Sequence, residues 1–130
     1  MFFFSLRRGL RAINLVAQSW GRQTLQAGDE VLVSAMEHHA NLVTWQQIAK
    51  QTGAQLRIIP LLTNGDLDIQ AYQAMLSPNT KMVALVHVSN VLGTVNPVAE
   101  VVRLAKQIGA LTLIDGAQAV AHAPVDVQAL

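Results

Sequence analysis

Three short stretches carry side chains able to do chemistry. Met36-Glu37-His38-His39-Ala40-Asn41 offers an aromatic base, Ser89-Asn90 offers an amide, and Asp115-Gly116-Ala117-Gln118 offers a carboxylate and a second amide. A carboxylate can hold a protonated ring nitrogen through a charge-assisted hydrogen bond worth roughly 1.5–3 kcal/mol. A histidine can stack flat on an aromatic ring and move protons near neutral pH. Asparagine and glutamine can satisfy a ring hydroxyl or phenolate by hydrogen bonding. Each stretch also has an ordinary explanation. Asp115 before Gly116 suits a turn, His38-His39 suits a helix start, and Ser89-Asn90 suits a strand-end turn. Adjacent histidines seldom converge on one ion and no other ligand cluster is near, so no metal site is read. Lys50, Lys81 and Lys106 read as solvated surface charges, and Trp45 and the methionines as core.

The elements around these stretches decide between the readings. Phe2 to Leu6 has the character of a short strand. Ala12, Leu15, Val16 and Trp20 form a helical stripe, which Ala27-Gly28-Asp29 breaks. Glu30 to Ser34 is a compact β-branched strand. Leu42, Trp45, Ile48 and Ala49 mark an amphipathic helix with Lys50 in its last turn and Gly53 as a C-cap. Gln55 to Leu61 is a strand, with Pro60 marking its end or a sheet edge. Asn64-Gly65 is a turn, and Asp68 caps a short helix carrying Ile69, Tyr72, Met75 and Leu76. Met82 to Val88 is an almost unbroken apolar run, as suits a strand covered on both faces. Asn96-Pro97 opens a helix with Pro97 at its first position; Val98, Val101, Val102, Ala105 and Ile108 form its buried face and Gly109 ends it. Ala110 to Ile114 is a further apolar strand, closed by Asp115-Gly116, and the tail with Pro124 has no strong strand.

Strand and helix thus alternate about four times, with crossovers of βαβ length. This predicts the α/β class: a mostly parallel sheet with helices on both faces. Ligands on such sheets bind beyond the carboxyl ends of the strands. All three chemistry-bearing stretches fall just after strands, so the fold gathers them along one edge. Together they describe a pocket for a flat, anionic, heteroaromatic cofactor. Pyridoxal phosphate (PLP) fits, because an acid opposite the pyridine nitrogen keeps that ring electron-withdrawing. A nucleotide-binding domain is disfavoured, since neither glycine-rich phosphate-loop motif occurs.

Composition narrows the classes further. With 130 residues, 52% of them hydrophobic and 13% charged, the chain has the material for a real core. A formal net charge of +1 suggests no nucleic-acid or membrane partner. The absence of cysteine excludes a disulfide, a cysteine metal site and a cysteine nucleophile within these residues. No run has the length of a membrane-spanning helix, and MFFFSLRRG has the wrong order for a secretory signal, so the expected location is cytoplasmic.

MEHHANLVTWQQ, HVSNVLGTVNPVAE and LIDGAQAVAHAPVDVQAL resemble the corresponding stretches of cysteine desulfurases, members of the class V aminotransferase group of fold-type I PLP enzymes. His38-His39-Ala40-Asn41 is most similar to the branch serving the SUF iron–sulfur assembly system, which includes selenocysteine lyase activity. The likeness runs from about Ala12 to Leu130. It implies that residues 1–130 are a partial large domain, with 1–11 an atypical start. It implies that His38 stacks on the pyridine ring and assists proton transfer, that Asn90 sits near the ring substituents, that Asp115 pairs with the pyridinium nitrogen, and that Gln118 binds the phenolic oxygen. The family reaction converts L-cysteine to L-alanine and passes sulfur on, as an enzyme persulfide, to an acceptor. Family members commonly dimerise through this domain, so exposed apolar surface is expected.

Two departures carry expectations of their own. The family binds the cofactor phosphate with a Gly-Thr-Thr turn ahead of an Ala-Ile-Asn-Leu helix, where this chain has Arg7-Arg8-Gly9-Leu10-Arg11. Those arginines leave charge alone to attract a phosphate, and the exchange suggests a displaced reading frame or start. The family's Ser-Gly-His-Lys segment, whose lysine anchors the cofactor, and its sulfur-accepting cysteine both lie beyond Leu130. The isolated chain is therefore expected to show no desulfurase activity. The alternative expectation is a non-catalytic α/β remnant or binding module that pairs with a full-length relative.

Overall fold

The fold was obtained as a computed structural model that describes residues 2–4, 9–122 and 124–128. Strand β1 is Phe2–Phe4, and helix α1, Gly9–Val16, continues through a π-helical segment, Ala17–Gly21, into α2, Arg22–Thr24. Then follow β2 (Glu30–Ser34), α3 (His39–Thr52), β3 (Gln55–Ile59), α4 (Ile69–Met75), β4 (Thr80–Val86), α5 (Val98–Gln107), β5 (Leu111–Asp115) and α6 (Ala119–His122). The five strands form one sheet in the order β1-β5-β4-β2-β3, and every neighbouring pair is parallel. Parallel pairing brings all the carboxyl ends to one edge. The order makes β5, β4 and β2, the strands that precede the three chemistry-bearing stretches, direct neighbours.

Alternation along the strands builds a layer on each face. Val31, Val33, Met82, Ala84 and Leu113 pack against Ile13, Val16, Ala17, Trp45 and Ile48, while Leu32, Val83, Leu85 and Ile114 pack against Tyr72, Val98, Val101 and Ala105. Successive strand residues point to opposite faces, so a run apolar at every position must be covered twice. β4 meets that condition, with every residue from Met82 to Val86 buried.

The caps follow the sequence reading. Asp68 accepts the Ala71 amide at the start of α4, and Gly53 closes α3 at φ 80°, a left-handed conformation that favours glycine. Other boundaries differ. β4 begins at Thr80, which pairs with Glu30, and stops at Val86, because Val88 turns away to form an isolated antiparallel bridge with Val95. β3 stops at Ile59, one residue before Pro60. Pro97 precedes the first helical residue of α5, and Ile108 sits partly exposed past its end while Leu104 joins the buried face. In α1 the stripe is rotated: Ile13 and Ala17 are fully buried and Leu15 is 68% exposed. Beyond it, Gly21 packs backbone-close against α3: a Cβ there would lie 3.2 Å from the Trp45 ring. Helix α6 was not anticipated. Of the atypical start, Leu6, Arg7 and Arg8 lie outside the described residues.

Candidate cofactor site at the strand ends

Each strand end presents its side chain through a local backbone device. Asp115 is the last residue of β5 and is 8% exposed. Its Oδ1 accepts the Ala117 amide at 3.1 Å, folding the chain sharply after the strand, and among the described residues nothing donates to Oδ2. Its carbonyl accepts the His87 amide at 2.9 Å, and its register partner on β4 is Val86. The aspartate is thus a turn residue whose second oxygen has no donor among the described residues.

His38 stands at the N-cap of α3 with its Nδ1 accepting the Ala40 amide at 3.1 Å. That contact places the proton of the neutral ring on Nε2. The ring is exposed, and His39 meets it edge-on at 6.2 Å. Gln118 and Asn90 are also exposed, and both line a cavity of about 750 Å³ together with His87, Ser89 and Ala119. His38 and Asp115 do not line that cavity. Asp115 reaches it through the Asp115–Gln118 turn, and His38 stands along the same sheet edge on the β2 side. Ser89 is buried as the post of the loop after β4, its Oγ accepting the amides of Val91 and Leu92. This turns outward the apolar Val91 (81% exposed), Leu92 and Val95, the exposed apolar surface expected.

Two titratable groups of the site were not singled out from sequence. Glu37 is half-buried as a residue in the turn between β2 and α3, but its carboxyl points inward, and burial of that group raises it from 4.5 to about 7. Hydrogen bonds from Ser34, Asn41 and Val86 oppose that rise, and the nearby charge of Asp115 adds to it. His87, at the cavity wall, is lowered from 6.5 by burial. The signal for His87 was its place inside an apolar strand run. Glu37 had no such signal, because its burial depends on β4 standing beside β2. Among the described residues no group of three or more His, Asp or Glu side chains could hold a metal.

All three lysines stand away from this edge. Lys50 is exposed on α3, Lys106 is exposed in the last turn of α5, and Lys81, near the opposite end of β4, bonds the Pro78 carbonyl at 3.0 Å.

The family model for aminotransferase class-V matches residues 6–130. The chain belongs to the aminotransferase class-V family. Curated relatives include cysteine desulfurases of Shigella sonnei (strain Ss046) and Escherichia coli (strain K12 / DH10B), each 52% identical over 125 residues, 96% of this chain and 31% of the relative. Among solved structures, the cysteine desulfurase CsdA of Escherichia coli superposes with a TM-score of 0.89 at 40% identity, over 92% of this chain and 30% of that one. A cysteine desulfurase of Thermococcus onnurineus NA1 gives 0.87 at 34% identity, over 94% and 30%. A C-DES variant with glycine covalently linked to its PLP cofactor gives 0.79 at 26%, over 92% and 32%. The chain spans about a third of the length of the curated relatives it matches. The mostly parallel α/β sheet with helices on both faces, read from the sequence as part of a class-V large domain, is therefore the fold of this family.

Proposed function

We propose that this chain is the strand-end half of a PLP site from a cysteine desulfurase of the SUF type. The observation that carries the reading is the buried carboxylate of Asp115, with Oδ1 engaged by Ala117 and no donor to Oδ2 among the described residues, beside the exposed amide of Gln118. The donor set fits the cofactor: an acid for a ring N–H, amides for a ring oxygen, an exposed imidazole for a ring face, and an adjoining cavity of about 750 Å³, within the usual range for such ligands. The likeness to cysteine desulfurases, and to a structure with covalently linked PLP, supports the same assignment.

When bound, PLP supplies an electron-withdrawing ring that stabilises negative charge developing on an amino-acid substrate. Asp115 holds the ring nitrogen protonated and, being buried, does so with little competition from water. Gln118 would donate its amide N–H to the ring oxygen, and Asn90, which lines the same cavity, would face the ring substituents. His38 presents a proton at Nε2, since Nδ1 is occupied by Ala40. In the whole enzyme the reaction is L-cysteine to L-alanine, with sulfur passed to an acceptor protein for iron–sulfur cluster assembly. A cytoplasmic homodimer is the setting that fits. Lys50, Lys81 and Lys106 all stand away from the site, which favours a second reading for these residues by themselves: a non-catalytic α/β remnant or a binding module that pairs with a full-length relative.

Two measurements test this. Titrating the chain with PLP should give saturable binding that Asp115→Asn weakens at least about tenfold, the worth of one charge-assisted bond; equal affinity would count against Asp115. Incubating the chain with L-cysteine and PLP should release no sulfide above a heat-killed control, and sustained release would overturn the second reading.

A further inference from the structure

The β2–β4 ladder ends at the pair Val33 and Ala84, because β2 leaves the sheet after Ser34. Two residues further along β4, the Val86 amide faces the space that β2 has vacated. The Glu37 side chain returns to that space, and its Oε1 accepts the Val86 N–H at 2.9 Å. The Ser34 hydroxyl bonds the same oxygen, and Asn41 donates from Nδ2 to Oε2 at 2.8 Å. Trp45 Nε1 donates to Asn41 Oδ1 at 2.9 Å. An indole N–H can only donate, so the orientation of the Asn41 amide is fixed and its nitrogen must face Glu37. A backbone N–H can also only donate. Both carboxyl oxygens are therefore acceptors toward fixed donors, and Ser34 Oγ is the partner able to take a proton from Glu37.

These bonds connect parts of the site that are distant in sequence. Val86 is the register partner of Asp115, and the next residue, His87, donates its amide to the Asp115 carbonyl at 2.9 Å. His38 follows Glu37 directly and starts α3. We propose that Glu37 is a positioning residue for the strand-end site: its carboxyl stands in for absent β2 backbone and ties the His38 turn to the stretch of β4 paired with Asp115. This rests on the reading that His38 and Asp115 serve one site, and adds the residue that sets their relation. Burial keeps Glu37 protonated up to about 7, so below that pH its proton, shared toward Ser34, keeps a second negative charge from standing beside Asp115.

The test is NMR on the labelled full chain with Glu37→Gln and with Glu37→Gln/Asn41→Asp. Gln retains an acceptor for Val86 but sets its own NH₂ against that of Asn41. Adding Asn41→Asp restores an acceptor opposite that NH₂ while still accepting from Trp45. The single variant should accelerate Val86 amide exchange by about tenfold or more and displace the His38 ring and Ala40 amide signals. The double variant should return all three toward the original values, which loss of bulk stability alone would not produce. Unchanged Val86 exchange and His38 signals in the single variant, or no recovery in a folded double variant, would overturn the proposal. If the single variant does not fold, the through-hydrogen-bond coupling between the Val86 nitrogen and the Glu37 carboxyl carbon in the original chain decides: its presence supports the proposal and its absence refutes it. None of these readouts needs PLP, so a failure of cofactor binding is scored separately.

Discussion

Raising the pH from 5 to 8 removes a proton from a carboxyl that the fold holds out of water. Glu37 titrates in the folded chain at about 7 instead of 4.5, chiefly through burial. Between those values the folded state retains a proton that the unfolded state has released. The sign follows: the stabilisation is fully present below about 4.5 and is lost as pH rises through about 7. At about 1.4 kcal/mol per pH unit, the interval corresponds to about 3 kcal/mol, most of it lost between pH 5 and pH 8. His87 acts in the opposite sense. Its folded pKa lies below 6.5, so its contribution grows as pH rises into and through that range. Comparing the chain with Glu37→Gln cancels His87 and the surface groups. Urea unfolding followed by tryptophan fluorescence should show the original chain losing about 2–3 kcal/mol more than the variant over that pH range. Parallel pH profiles for the two proteins would refute the burial argument, and so would a difference of the opposite sign.

Other substitutions test the packing that holds the site. Trp45→Phe leaves the buried Asn41 Oδ1 without its donor and should cost about 1–3 kcal/mol in urea, shifting the titration of Glu37 as well. Asp115→Asn removes a nearby negative charge and should lower the pKa of Glu37, read from its carboxyl carbon by NMR. Tyr72→Phe removes a buried bond to the Val101 carbonyl and should cost about 1 kcal/mol by the same unfolding assay. Gly53→Ala must hold φ 80° with its Cβ 3.2 Å from that of Ala27, and should lower stability by about 1 kcal/mol or more.

Local chemistry made much of the fold legible. Asp68 and Gly53 named their caps, and the apolar run through Val83 and Leu85 announced a strand covered on both faces. The first helical stripe was right at Val16 and wrong at Leu15, with Ile13 and Ala17 buried instead; Gly21, which packs backbone-close to Trp45, contributes nothing to an apolar pattern. The strand-end stretches were found because parallel topology forces them to one edge. Their division of labour was not visible: Ser89 turned inward as a loop post while Asn90 stayed exposed. No local pattern marks Glu37, because its partner Val86 lies 49 residues away. Its burial follows from strand order, which no local window contains.

The proposed role of Asp115 is to hold a protonated pyridine nitrogen. The direct measurement is the nitrogen-15 chemical shift of ring-labelled PLP bound to the chain. A protonated-pyridine shift should persist well above the pKa of free cofactor and revert when Asp115 is replaced by Asn. A bound ring whose nitrogen titrates as it does in water, and identically with Asn at 115, would contradict it.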